Sequence, residues 1–574
     1  MNSISLELKE KFDDQYQQFL SLCTYGASPE ALSLALYDWF IHFITAPGTQ
    51  LWLAADAWEK VKHLMERVTD VQNSQDELKT FEFESDRDHR FRESEWQQFP
   101  FNMFAQNFLN VEHWLQQAIL ETRGANKHHI DLSCFAVRQL CDMWAPSNFL
   151  PTNPVALKTT WEERGLNLAK GHINWLETIM PRLKSKETKY KVGKTVAITE
   201  GKVVFRNDLI ELIQYLPKTK TVYKEPILIF PSWIMKYYIL DLSPHNSLVK
   251  YFVEKGHQVF IISWKNPEKD NKDTSLNDYI FEGGLEAVDV VSTITKNTQI
   301  HLAGYCLGGT LAAIVAAWLG KIKSKQLKTL TLFAAQTDFE QPGELQLFID
   351  ESQVASLEAK MATQGYLSGQ QMASAFQLLH SNDLIWSRMQ HAYFLGKEQT
   401  ENDLMAWNND ATRLPLQMHK DYLTKLYLKN EFAEGHFKIT NKVVSLKDIR
   451  VPLFMVGTQK DHVSPWESVY KAHLLADTNI DFILTSGGHN AGIVSEPGHP
   501  RRYFFSKKTP ENQTYLSPEN WLKKATRHEG SWWPHWHKWL VDHSSQKQTE
   551  SVDSLGHAKY PPLMCAPGKY VLVS

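Results

Sequence analysis

The stretch QIHLAGYCLGGTLAAIVAAWLG, Gln299 to Gly320, decides how this chain folds. It carries no formal charge, and neither do Asn297 and Thr298 before it, so a membrane span is the first reading to weigh. Four glycines (Gly304, Gly308, Gly309, Gly320) and a polar head of Asn297, Thr298, Gln299 and His301 argue instead for a buried strand, a tight turn and a buried helix. Cys306 sits in the turn between Gly304 and Gly308.

Outward from this stretch the same texture repeats. Short runs that are apolar on both faces lie at Pro226 to Phe230, Gln258 to Trp264, Gln299 to Tyr305, Thr329 to Ala335, Pro452 to Gly457 and Ile480 to Thr485, separated by helix-length segments. Strands of that kind form a parallel sheet covered on both sides. Residues 336–447 interrupt the rhythm with helical, aromatic sequence, which predicts a lid or cap at the carboxyl edge of the sheet. Residues 1–200 read as a mostly helical N-terminal domain, and 201–574 as the α/β domain that contains the insertion.

A strand, a Gly-x-Cys-x-Gly turn and a helix are the context of a nucleophile elbow, here with cysteine in place of serine, and predict an α/β-hydrolase fold. The helix N-terminus favours a thiolate and points N–H groups at developing negative charge. Such an elbow needs an acid and then a histidine later in the chain. Asp461 follows the strand PLFMVG, and His489 follows the strand IDFILT, each just past a carboxyl end. His462 is a rival base, but it adjoins the acid; Asp481 and Asp338 are rival acids, the first at the wrong end of its strand. Oxyanion donors are expected from the N–H of Leu307 and from the loop after the first strand, at Trp233 or Ile234. Thiolate attack on a thioester keeps an acyl group activated, so cysteine suits acyl transfer from a carrier thiol. Hydrolysis by the same triad stays open, as does a noncatalytic role.

Composition narrows the partners. With 43% apolar and 22% charged residues, 27 Gly and 24 Pro, the chain is globular. Its 61 basic against 65 acidic residues, net charge -4, give no footprint for nucleic acid. Cys23, Cys134, Cys141, Cys306 and Cys565 are scattered, without disulfide or metal-site spacing, so neither a disulfide framework nor a metal is expected; no cofactor is expected either. Charges at Glu7, Lys9, Glu10, Lys11, Asp13 and Asp14 argue against a secretory leader and for the cytosol. Aromatic residues reach 12%, with 19 Trp, which points to large apolar contact surfaces or a greasy ligand. The cluster Trp532, Trp533, Trp536 and Trp539 reads as packing.

With these residues located, the sequence resembles the polyhydroxyalkanoate synthases over nearly its whole length. The resemblance is carried by APSNFLPTNP from Ala145, PSWIMKYYILDLSPHNSL from Pro231, GHQVFIISWKNP from Gly256, GYCLGGT from Gly304, TDFEQPGEL from Thr337, WNNDATRLP from Trp407, KDHVSPW from Lys460, GGHNAGIV from Gly487 and EGSWWPHW from Glu529. It implies polymerisation of (R)-3-hydroxyacyl-CoA, with coenzyme A as leaving group, Cys306 acylated, His489 as base and Asp461 as its partner. It further implies a class I-like enzyme that needs no second subunit type, a homodimer, and a polyester granule surface in the cytoplasm docked by the N-terminal domain. Ser232 stands where a second Pro is expected, and Gln346 where Gly is common. A Cys-triad thioesterase or ester hydrolase and a noncatalytic granule-coat protein are the competing readings.

Overall fold

The computed structural model describes residues 9, 28–73, 88–180, 188–296, 299–379, 381–397, 401–545, 548–551 and 554–573; Cys23, Asn297 and Thr298 lie outside them. The chain forms two compact units, Met1–Glu187 with Ala373–Thr400, and Thr188–Met372 with Glu401–Ser574.

In the first unit, helices begin where capping chemistry dictates. The side chains of Ser28, Asn126 and Asn153 each accept a backbone N–H of the first turn of helices Pro29–Ile44, Lys127–Trp144 and Pro154–Glu162. Arg90, 7% exposed at its side chain, pairs with Asp88, Glu112 and Asp142, so its buried charge is matched rather than stranded. Residues 373–400 join this unit through helix Leu166–Ile179. Asn167 and Asn174 donate to the carbonyls of Phe394 and Ala392 at 2.7 and 2.9 Å. A Cβ on Gly171 would lie 1.8 Å from the Tyr393 carbonyl oxygen, so only glycine permits the approach. Cys134 and Cys141 share helix Lys127–Trp144, and burial pushes both thiols up to about 11, which keeps them protonated and inert.

The second unit is built on one large sheet. Its strands, in chain order, are β1 (Gly201–Arg206), β2 (Ile210–Tyr215), β3 (Ile227–Phe230), β4 (Val259–Trp264), β5 (Ile300–Tyr305), β6 (Leu327–Phe333), β7 (Leu453–Thr458), β8 (Ile480–Thr485), β9 (Tyr503–Thr509), β10 (Thr526–Glu529) and β11 (Met564–Cys565). They lie in the order β10-β9-β8-β7-β6-β5-β3-β4-β2-β1-β11. The six strands β3 to β8 are mutually parallel, as their two-sided apolar sequence predicts. One strand moves by more than a residue: β6 starts and ends two residues earlier than expected, its end falling where Ala334, at φ +45°, leaves the extended region and donates to Val456 O. The remaining strands pair antiparallel at the two edges.

Helix Leu307–Lys321 runs along the sheet buried on almost every side, which explains its uncharged sequence without a membrane. Among the described residues no helix is long and apolar enough to cross one. Its Leu311, Ile314, Val315 and Leu319 are 0–3% exposed, each such side chain contributing roughly 1.5–3 kcal/mol. The four tryptophans of the 532–539 cluster are buried too, 0–4% exposed, against Phe252, Phe333 and Phe454. This core fixes the carboxyl ends of β5, β7 and β8.

Candidate active site

Cys306 ends β5 and opens the buried helix at φ +53°, ψ −126°, a conformation non-glycine side chains rarely adopt. Its N–H donates to Phe333 O at 2.9 Å, and its carbonyl accepts Gly309 N at 2.8 Å, so the bend is pinned from both sides. The glycines have separate jobs. A Cβ on Gly304 would meet the backbone of Gly308 and Gly309 at 2.5 Å, and one on Gly308 would lie 2.2 and 2.4 Å from the carbonyl oxygens of Phe230 and Pro231. Those contacts are backbone and cannot yield cheaply. Gly308→Ala is therefore expected to cost about 3 kcal/mol and to displace the Pro231 loop, seen as a lower Tm together with slower reaction of Cys306 toward a thiol reagent.

Asp461 and His489 come to the same edge. Asp461 is 8% exposed and its carboxylate is fully engaged. It accepts from Thr458 Oγ1 at 2.7 Å, from the N–H groups of Val463 and Ser464 at 3.0 and 2.7 Å, and from His489 Nδ1 at 2.8 Å. Burial by itself raises this carboxyl; the His489 charge and the hydrogen bonds from His489, Ser464 and Thr458 outweigh it and hold Asp461 below its usual range. For His489 burial opposes the charge as well, but Asp461 and Cys306 together lift the imidazole well above its ordinary value. With Nδ1 on the carboxylate, Nε2 remains for the nearby Cys306, one of the groups that lift the imidazole.

The rivals make other contacts. Asp338 Oδ1 accepts Glu340 N and Asn430 Nδ2, closing its own loop. Asp481 lies in β8 beside its start, 3.6 Å from His535. The His462 carbonyl accepts Glu344 N. Leu307 is the first residue of the elbow helix. In the loop after β3, Ile234 N faces Ser232 Oγ at 3.4 Å, while the carbonyls of Trp233 and Ile234 both accept the Thr412 hydroxyl. Among the described residues, no three of His, Cys, Asp or Glu are grouped to hold a metal ion.

Several neighbours of the thiol escape a sequence reading. The Tyr305 ring tilts against His489, centroids 5.6 Å apart, and its hydroxyl donates to Asn490 Oδ1 at 2.5 Å. Trp532 and Trp533 donate to the carbonyls of Gly492 and Ile493, bracing the loop that carries His489. Over the elbow, Tyr422 and Tyr427 pack edge to face, and Tyr422 meets Trp233. Burial above all, with Cys306 adding to it, pushes both phenols above their usual range, and the Tyr422 hydrogen bond only partly offsets this for Tyr427, so they stay neutral. Beyond the tryptophan cluster already read as packing and the Trp233 loop, the advance signal here was the aromatic content.

A mainly parallel sheet with a cysteine at its central bend, followed in chain order by an acid and a histidine, has the architecture of the α/β-hydrolase fold; the family model of that description matches residues 225–495. The family models for the poly-beta-hydroxybutyrate polymerase (PhaC) N-terminus and poly-beta-hydroxybutyrate polymerase N terminal match residues 87–252 and 7–49. A poly(3-hydroxyalkanoate) polymerase of Methylorubrum extorquens is 39% identical over 84% of this chain and 80% of its own. A poly(3-hydroxyalkanoate) polymerase subunit PhaC of Rhizobium etli is 36% identical over 88% and 80%. Among solved structures, a monoacylglycerol lipase of Paleococcus ferrophilus covers 58% of this chain and 99% of its own at 12% identity, with a TM-score of 0.33. The chain belongs to the poly(3-hydroxyalkanoate) polymerase family.

Proposed function

We propose that this chain polymerises (R)-3-hydroxyacyl-CoA into polyester and releases coenzyme A, through an acyl-cysteine on Cys306. The observation that carries the reading is the elbow itself: a cysteine at φ +53° beside His489, which is tied at 2.8 Å to a carboxylate held ionised. His489 takes the Cys306 proton as sulfur attacks the thioester carbonyl. The oxyanion faces the N–H of Leu307 and one N–H of the Trp233–Ile234 loop. The carbon–sulfur bond to coenzyme A breaks, and His489 returns the proton to the leaving thiolate. A 3-hydroxyl then attacks acyl-Cys306 with His489 again taking the proton; an ester forms and the thiol is restored. No cofactor is required, since coenzyme A arrives as part of the substrate.

The insertion of residues 336–447 acts as the lid that keeps water out, through the neutral, buried Tyr422 and Tyr427. Residues 1–200 form the docking domain for a polyester granule in the cytoplasm and support a homodimer. The large apolar side chains exposed on helices Pro29–Ile44 and Pro47–Asn73, Tyr37, Phe40, Leu51, Trp52 and Trp58 among them, favour this reading.

Product analysis tests the proposal. 3-Hydroxybutyryl-CoA mixed with the protein is expected to release a titratable thiol while the solution turns turbid. Soluble 3-hydroxybutyrate as the main product would make it a hydrolase, and no thiol at all a coat protein. His489→Ala is expected to slow thiol release by about 10²–10⁴, whereas His462→Ala leaves it within a few fold; the reverse ranking would unseat His489 as the base.

A further inference from the structure

We propose that the strap of residues 569–573 positions the oxyanion loop through the buried ammonium of Lys236. Lys236 closes the loop that begins at Pro231 and carries Trp233 and Ile234, and its side chain is 3% exposed. A buried ammonium needs acceptors, and the strap supplies them: Lys236 Nζ donates to Val571 O at 2.7 Å and to Val573 O at 2.5 Å. The nearest carboxylate, Asp410, is 3.7 Å away. Without the strap's two carbonyls the cation keeps one distant partner, so the loop must move to find water.

The strap is itself fixed to the sheet. Glu211 on β2, fully buried at its side chain, is paired with Arg206 and accepts the N–H groups of Lys569 and Tyr570 at 2.8 and 3.0 Å. Gly568, at φ +86°, lets the strap lie against that carboxylate, where a Cβ would come 2.3 Å from Glu211 Oε2. The loop is thus held between the Thr412 hydroxyl on the Trp233 and Ile234 carbonyls and the strap on Lys236. Glu211 and Lys236 contact no candidate catalytic group; they act through the backbone between them.

This inference rests on the proposed acyl-transfer reading, and wild-type thiol release with label on Cys306 checks that reading first. Lys236→Met, which keeps the apolar stem and deletes the donors, is then expected to lower kcat for coenzyme A release by on the order of tenfold to a hundredfold, with KM within about twofold. A chain stopped after Tyr570, which lacks both acceptor carbonyls, is expected to show the same loss while folding normally by circular dichroism. Combining the two changes should cost no more than either alone, because they cut one contact. Losses that multiply, a kcat unchanged in Lys236→Met, or an effect confined to KM would overturn the role of the strap. Glu211→Gln, which weakens the anchor without touching Lys236, should show a smaller kcat loss, and an unchanged kcat there together with an unfolded Lys236→Met variant would count equally against it.

Discussion

Cys306→Gly is expected to abolish coenzyme A release while raising stability. A non-glycine residue held at φ +53°, ψ −126° carries on the order of 1–3 kcal/mol of backbone strain, and glycine adopts that conformation freely. The extra freedom of glycine in the unfolded chain takes back roughly 0.5–1 kcal/mol, so a net gain of about 1 kcal/mol is expected in chemical denaturation. Activity falls by at least about 10³-fold, since among the described residues no other thiol is placed beside His489. Cys306→Ala should be equally inactive but without the gain, because Ala keeps the Cβ. A glycine variant no more stable than the alanine variant would mean that the bend stores nothing.

The second large effect is expected at Asp461→Asn. Asn preserves size but cannot act as the carboxylate toward His489 Nδ1, so the imidazole loses its orientation and the charge that stabilises its protonated form. Thiol release should fall by about 10³–10⁴. Stability responds with a defined pH dependence. Asp461 is depressed in the fold, so its contribution is present above the unfolded carboxyl value of about 4 and fades as pH falls through the lower folded value. His489 is raised, so its contribution is complete below about 6.5 and fades as pH climbs through the higher folded value. The stability gap between wild type and Asp461→Asn should therefore be widest between about pH 4 and 6.5. A gap that grows as pH falls below about 4, or widens toward pH 10, would contradict the ion pair.

The six parallel strands were legible because burial on both faces leaves an unbroken apolar run. The edge strands were not: β9 reads YFFSKKT and β10 reads TRHE, polar enough to pass for loops, and β1 and β2 form a hairpin around Asn207 and Asp208 that sits before the rhythm begins. At the candidate site, the meeting of Asp461 and His489 past two strand ends was expected from chain order and strand position. Lys236, Tyr305, Asn490 and Thr412 could not be picked out, since what matters about them is a partner supplied by packing: Val571 lies 335 residues from Lys236, and Asn490 lies 185 from Tyr305. Gly171 shows the same limit in the helical unit, where its reason for being glycine is a carbonyl more than two hundred residues away in sequence.

The sheet also works as a ruler. Cys306 leaves β5, whereas His489 leaves β8, three strands over, a separation of about 14 Å at ordinary strand spacing. The segment from Ser486 to His489 must lean back across β7 and β6 to bring imidazole to sulfur, with Gly487 at φ +106° as its pivot. Reach, more than residue identity, then governs this arm: shortening it by a single amino acid withdraws the ring by about one strand step, roughly 3.3 Å.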